Sequence, residues 1–431
     1  MTKSGDGLAP TTELSSAMKL WRWRVFVSTW LCYAGYYFCR KPFSIAKSQL
    51  GLELDFDAAR LGTIYAAYLI AYTAGQFASG IFGARFGPRL LLLAGMAVTI
   101  AASFAFAFVD SFVWFIVFMT VNGLAQATGW SNTVGTMASW TRRSERGTVM
   151  GIWATNFQVG GILSNALAAF ILARAGYQWA FASGAIVLMV VWVFFYFNQA
   201  NRPEDKGLPA LEEPDVVGGA PAADSAGPVK WSKDVWLTVM LVGAAYFGMK
   251  FIRYAVWSWA PFVLERNFGL KGDDAGYVST LFDVCGIVGV IAAGWVSDRF
   301  FRGRRAMVSF IMMIGCVAAT LLMVTIGAES VVAFSVCISL VGFTLFGPDA
   351  LLTGAGAQDI GGGGSAVRAA GIISGLGSAG SVLQELVIGK MYTNGGGAIG
   401  PVLATLLGSA LLSMACIFVV LMRNRSGKSD M

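Results

Sequence analysis

Six basic residues fall inside or at the rims of stretches that are otherwise apolar: Arg40, Lys41, Lys47, Lys250, Arg253 and Lys390. A charge at the centre of a bilayer costs about 2.5–3.5 kcal/mol even on the mildest scale, so each needs a reason to be there. Lys47 and Lys390 stand near the outer ends of their segments, where a long side chain reaches the interface. Arg40 and Arg253 occupy the middle third of theirs. The acids that could neutralise them are Asp283, Asp349 and Glu385. By helix rise only Asp283 reaches the same depth, with Asp349 in the inner third and Glu385 in the outer third. Four central cations (Arg40, Lys41, Lys250 and Arg253) against one acid favour an anionic ligand over a closed set of ion pairs. A planar guanidinium grips phosphate or carboxylate through two parallel hydrogen bonds and keeps its charge at any working pH. Two of them facing each other suit a phosphate carrying between one and two negative charges.

Tyr33, Tyr36, Tyr37, Arg40 and Phe43 recur at spacings of three, four and seven, which puts them on one side of a helix. Lys250 precedes Arg253 by three residues and shares its face. Lys41 is turned about 100° from Arg40 and reads equally as a cavity residue or as one facing a neighbouring helix. Trp130 follows the small-residue run GLAQATG; core packing and a stacking wall for a sugar ring are equal readings.

Such residues need a scaffold, and composition identifies it. Of 431 residues, 56% are hydrophobic and 13% charged, against roughly 25% charged in a soluble protein. With a mean hydropathy of +0.65, the chain reads as an all-α integral membrane protein. Its apolar stretches are continuous rather than alternating, which excludes a β-barrel. The absence of histidine removes His-ligated metals, haem and Ser-His or Cys-His catalysis. Cys32, Cys39, Cys285, Cys316, Cys337 and Cys416 lie in apolar stretches without a Cys-x-x-Cys pair and read as small buried hydrophobes. Neither an enzyme nor a cofactor or metal site is expected.

Apolar runs between short polar loops predict twelve transmembrane helices: 22–49, 60–83, 89–108, 112–138, 147–173, 177–198, 235–265, 274–300, 305–326, 330–356, 367–392 and 398–422. Residues 200–234 hold five of the eleven prolines and six acids before Asp234, the composition of a flexible linker. The expected domains are an N-terminal tail (1–21), a six-helix bundle (22–199), the linker (200–234), a second six-helix bundle (235–422) and a C-terminal tail (423–431). Twenty-one Lys and Arg of the loops and tails, Arg22, Arg142, Arg304 and Arg423 among them, fall on one side; only Arg60, Arg174, Arg266 and Lys271 fall on the other. That asymmetry predicts a multi-pass protein of the cell membrane with both termini and the linker in the cytoplasm. It also accounts for the net charge of +7 without a nucleic-acid partner; the lipid bilayer is the expected partner surface, and a monomer the expected state.

The halves are related. YAGYYFCR (33–40) and YFGMKFIR (246–253) match at Tyr, Gly, Phe and Arg with an offset of 213. Gly80 and Arg85 match Gly294 and Arg299 at 214, and Gly151 and Gly160 match Gly371 and Gly380 at 220. Near-constant offsets argue for an internal duplication, and parallel six-helix repeats around a midplane site are a transporter architecture. Gly294, Asp298, Arg299, Gly303, Arg304 and Arg305 form a loop pattern that resembles the signature of the major facilitator superfamily; the first-half copy has Ala84 where the acid belongs.

YYFCRKPFSIAKSQL, GLAQATGW, STLFDVCGIVG and GPDALLTGAGAQD resemble the organophosphate:phosphate antiporters of that superfamily over nearly the whole chain outside the linker and the first 20 residues. The resemblance implies the major facilitator fold, phosphate bound by Arg40 and Arg253, and cavity positions at Tyr33, Tyr37, Tyr72, Trp130 and Asp283. Gln76 stands where bacterial members usually have a second-span Lys. Asn156 and Phe157 lie near the place of an absent fifth-span His, and Lys250 replaces a Tyr of the glycerol-3-phosphate transporters. One cation has thus moved from the first bundle to the second. The expected function is exchange of inorganic phosphate for a phosphorylated small metabolite. A transporter-like sugar-phosphate sensor and a proton-coupled organic-anion symporter, with Asp283 as proton carrier, are the alternatives.

Overall fold

The computed structural model describes residues 14–56, 58–211, 231–270, 272–302, 304–394 and 399–426. Most of the expected linker (212–230) and parts of both tails (1–13 and 427–431) lie outside the described residues, as do the side chains of Lys47, Glu385 and Lys390. The described residues form fourteen α-helices. They are α1 (Ser16–Phe38), α2 (Lys41–Glu53), α3 (Ala58–Phe86), α4 (Pro88–Phe106), α5 (Phe112–Gln126), α6 (Thr128–Trp140) and α7 (Arg146–Trp153). They continue as α8 (Asn156–Asn198), α9 (Lys233–Phe268), α10 (Gly272–Arg299), α11 (Arg305–Ile326), α12 (Val331–Ala350), α13 (Ala357–Asn394) and α14 (Gly400–Arg425).

Breaks and kinks reconcile fourteen helices with twelve crossings. The first crossing is α1 plus α2, interrupted at Cys39 and Arg40 because Pro42 has no N–H to continue the ladder. The fourth is α5 plus α6, which break at Ala127. The fifth and sixth meet at Gly176, whose φ of 81° turns the chain within α8. A π-helical turn, Leu351–Gly356, follows Pro348 in the tenth. Nine stretches among the described residues are long and apolar enough to cross a membrane. Their outer faces leave large apolar side chains exposed, such as Phe197 at 69% and Val332 at 72%, a surface that suits lipid.

Lipid offers no hydrophobic drive for helices to associate, so close backbone approach must hold them together. Within the first half α1 packs on α8 and α3 on α5; within the second α9 packs on α13 and α10 on α12. Across the halves α3 meets α13, and α7 meets α10. Both of these cross-contacts are built on glycine. A methyl group on Gly371 would stand 2.5 Å from the Gly80 Cα, and one on Gly151 would stand 3.3 Å from the Gly294 Cα. The sequence offsets pair Gly80 with Gly294 and Gly151 with Gly371. The two contacts are therefore exchanged by the same pseudo-two-fold that relates the halves.

Both contacts lie toward the side that carries the chain termini, where a polar network spans the boundary. Arg146 at the head of α7 pairs with Asp359 of α13 at 2.6 Å. Asp298 of α10 accepts from the Gly147 and Thr148 amides at 3.2 and 2.6 Å and pairs with Arg305. Arg305 also donates to the Arg143 carbonyl at 3.0 Å and lies 3.4 Å from Asp359. Asp298 satisfies helix-start amides that have no intrahelical partner. Ala84, in the first-half copy, has no carboxyl to do the same.

Candidate functional site

Arg40 owes its position to the break in the first crossing. Ending α1 at Phe38 frees carbonyls that must find donors inside the membrane. Ser164 donates to the Tyr37 carbonyl at 3.0 Å, and Asn122 donates to that of Cys39 at 3.2 Å. The Asn122 side-chain oxygen accepts from Gln126 Nε2 at 2.9 Å, and Gln126 Oε1 accepts from Arg40 Nε at 2.9 Å and from the Tyr68 hydroxyl at 3.0 Å. The guanidinium lies over the rings of Tyr37 and Tyr72, 4.7 and 4.8 Å from their centroids, a geometry that favours a cation. Its Nη2 is buried with no partner. A buried guanidinium nitrogen without an acceptor is costly.

Arg253 is held differently. Its Nη1 pairs with Asp349 Oδ2 at 2.5 Å, with both side chains buried, and its Nη2 donates to the Tyr246 hydroxyl at 3.3 Å. Three residues earlier, Lys250 donates to Ser378 Oγ at 2.7 Å and lies 5.1 Å from the Tyr246 ring centroid. One cavity of about 10 Å³ collects these groups: Tyr33, Tyr37, Arg40, Trp130 and Phe157 from the first half, and Tyr246, Lys250, Arg253, Tyr254 and Ser374 from the second. That volume is close to the room one water occupies. Trp130 reaches across the boundary to donate to the Thr353 carbonyl at 3.3 Å and meets Tyr33 edge-on at 5.2 Å. The arrangement is an aromatic-walled chamber that gathers three basic side chains, one carboxylate and a few hydroxyls among the described residues. It suits the binding of a small anion without bond-making chemistry. No group of three or more metal-ligating side chains occurs among the described residues.

Of the nine candidates, Arg40, Arg253, Lys250, Tyr33, Tyr37 and Trp130 line this cavity. Tyr72 stands behind it, between Arg40 and Lys250, at 4.8 and 5.8 Å from their charged groups. Asp283 and Lys41 correct the expectation. Asp283 is half-buried and accepts from Trp257 Nε1 at 3.0 and 3.2 Å. Lys41 lies over that same Trp257 ring at 5.3 Å, within electrostatic reach of Asp283. The two form an outer cluster, and the carboxylate that meets Arg253 belongs to Asp349. Depth was misjudged because the tenth crossing runs on through its π turn to Ile360, which leaves Asp349 about 5 Å along the axis from the midpoint. The break at Arg40 likewise splits the expected stripe: Tyr36 bonds Thr128 at 3.1 Å, and Phe43 stacks on Tyr65 at 6.2 Å. Tyr246 carried a usable signal, since Tyr246, Lys250 and Arg253 repeat the spacing of Tyr33, Tyr37 and Arg40. Gln126 and Ser374 carried none.

The profile of the Major Facilitator Superfamily matches residues 29–384. A glycerol-3-phosphate transporter of Bacillus subtilis (strain 168) is 29% identical over 97% of this chain and 96% of its own. Sugar phosphate exchanger 3 of Xenopus laevis is 29% identical over 76% of this chain and 73% of its own. Among solved structures, the proton:xylose symporter XylE superposes with a TM-score of 0.73 at 14% identity, covering 92% of this chain and 95% of that one. The chain belongs to the major facilitator superfamily, in the group of the organophosphate:phosphate antiporters.

Proposed function

We propose that this protein exchanges inorganic phosphate for a phosphorylated small metabolite, a sugar phosphate or glycerol-3-phosphate, by alternating access around Arg40 and Arg253. The observation that carries the reading is the convergence of both repeat-related guanidinia on one buried cavity, one of them with an unpartnered Nη2. The names of the two relatives support the cargo class. Arg40 and Arg253 grip the phosphoryl oxygens, Lys250 adds a point charge, and Tyr33, Tyr37 and Trp130 wall the organic part. Tyr72 braces Arg40 from behind.

A cavity with room for about one water has none for phosphate, so the bundles part to load it. The glycine contacts, the Arg146–Asp359 pair, the bonds from the Gly147 and Thr148 amides to Asp298 and the bond from Arg305 to the Arg143 carbonyl close the side of the termini, and the Lys and Arg asymmetry supports reading that side as cytoplasmic. Closing the chamber empty leaves the Arg40 charge without a counter-ion, whereas closing it around phosphate does not. That difference favours exchange over net flux. The test is phosphate counterflow in proteoliposomes, with sugar phosphates and glycerol-3-phosphate as competitors. Efflux of labelled phosphate that requires external phosphate or phosphate ester supports the reading; efflux indifferent to them and driven by a proton gradient overturns it.

A further inference from the structure

Arg40 and Arg253 are equivalent in the repeat, and each is held by a residue from the fourth crossing of its own bundle, at a point where that crossing is irregular. Gln126 is the last residue of α5 before the break at Ala127; Asp349 is the next-to-last residue of α12 before the π turn. The partner of Arg40 is therefore a neutral amide at 2.9 Å, and that of Arg253 a carboxylate at 2.5 Å. Lys250 has a hydroxyl as its hydrogen-bond partner. Counted with Lys250 and Asp349 in their charged forms, Arg40, Lys250 and Arg253 against Asp349 give two uncompensated positive charges around the cavity among the described residues. The outer pair of Lys41 and Asp283 cancels and leaves that figure unchanged.

We infer that Asp349 sets the charge of the cargo: the site is built for a doubly charged phosphate monoester and discriminates against one that carries a further carboxylate. The inference rests on the exchange reading and narrows it. A phosphate ester with two negative charges brings the closed chamber to neutrality, and inorganic phosphate in its doubly charged form does the same. A three-carbon phosphate ester with an additional carboxylate leaves one negative charge buried among aromatic rings, where an unpaired charge is expensive. In the empty carrier Asp349 stands on Arg253 in place of substrate, so the incoming phosphate displaces it. The carboxylate then remains beside Lys250, and the overall count holds.

The experiment compares glycerol-3-phosphate with 3-phosphoglycerate as drivers of labelled phosphate efflux from proteoliposomes at pH 8, where both phosphoryl groups are doubly ionised. The wild type prefers glycerol-3-phosphate. Asp349→Asn lowers that preference about tenfold or more, as one extra positive charge close to the substrate requires. Gln126→Glu removes one net charge and raises the preference. The double variant restores the wild-type count with the acid moved to the other bundle, and returns the preference toward the wild-type value. An unchanged ratio in Asp349→Asn, or a double variant no closer to wild type than either single one, overturns the inference. If Asp349→Asn fails to fold, Gln126→Glu tests the same count in the opposite direction. A wild type that moves no phosphate refutes the exchange reading instead. The same two ligands titrated into solubilised protein then give the ratio, and equal affinities overturn the charge inference separately.

Discussion

Gly371→Ala tests how the termini side is closed. The added methyl would stand 2.5 Å from the Gly80 Cα and 2.9 Å from both the Gln76 carbonyl oxygen and the Gly80 nitrogen. Carbon atoms in contact sit about 3.5 Å apart, so α3 and α13 are short of room by about 1 Å. Every neighbour at that distance is backbone, and no rotamer change relieves it. Overpacking of this kind costs about 1–3 kcal/mol, and the cost falls only on the conformation in which α3 and α13 touch. It therefore shifts the equilibrium between closed and open toward open by about 5- to 150-fold. Ser374→Cys places a reporter on the cavity wall, and a membrane-impermeant maleimide added from the termini side reads its accessibility against the parent without the reporter. Gly371→Ala should speed its alkylation at least about fivefold. Gly294→Ala, whose methyl would press on the Gly147 carbonyl, should do the same through the other contact. Unchanged alkylation in both variants, with thermal stability also unchanged, would refute the idea that these glycines hold the closed state.

Arg40→Lys and Arg253→Lys should each reduce phosphate exchange about 100-fold or more while the protein elutes and melts as the wild type does, because an ammonium cannot reproduce bidentate geometry; wild-type rates in either would argue against a paired-guanidinium site. Asp298→Asn weakens the two bonds that Asp298 accepts across the boundary from the Gly147 and Thr148 amides, bonds to a charged group worth about 1.5–3 kcal/mol each, and should be read as faster maleimide labelling of the same reporter from the termini side. Lys250→Tyr, which copies Tyr37 of the first half, should favour singly charged over doubly charged phosphate analogues, and adding Asp349→Asn should undo that change; competition assays with methyl phosphate across pH 5–8 measure both.

The fold was legible because the membrane makes it so: apolar runs of fixed length, polar loops and Lys/Arg asymmetry leave few architectures open. The repeat offsets went further and identified Gly80, Gly151, Gly294 and Gly371, which are the glycines at the two cross-contacts. Arg40 and Arg253 were legible because a charge in an apolar segment is conspicuous. Their partners were harder to find. Gln126 is an ordinary amide in a run of small residues, and nothing local says that it meets a residue 86 positions earlier. Asp349 was visible as an acid but misjudged in depth, since a straight-helix count does not include a π turn or a crossing that runs past its apolar stretch. Asp283 stands off the cavity for another reason: it meets Trp257, one turn past Arg253 on α9, a choice of neighbour that its position along α10 does not give. Depth along a helix follows from counting residues, while azimuth depends on how the neighbouring helices pack.

The places where the duplication has stayed symmetric and those where it has not divide the molecule by task. Glycine meets glycine on both sides of the pseudo-two-fold, and an arginine stands at the equivalent repeat position in each bundle; on the proposed reading these features serve a rocking motion that treats the halves alike. The departures are electrostatic. Tyr37 in one half corresponds to Lys250 in the other, and the amide of Gln126 to the carboxylate of Asp349, so the second half carries one more charge of each sign. Each bundle still brings one net positive charge to the cavity: Arg40 alone in the first, and Arg253 with Lys250 and Asp349 in the second. Had Lys250 arisen without Asp349, the empty chamber would bury a third uncompensated cation, at the several kcal/mol such an ion costs. Two changes that offset each other in charge need not offset each other in position. The first half offers one fixed cation, whereas the second offers two cations and a carboxylate paired with one of them. On the proposed reading, the second bundle is the half in which the site adjusts to the organic part of its cargo, while Arg40, fixed by Gln126 and the break beneath it, supplies the constant grip on phosphate.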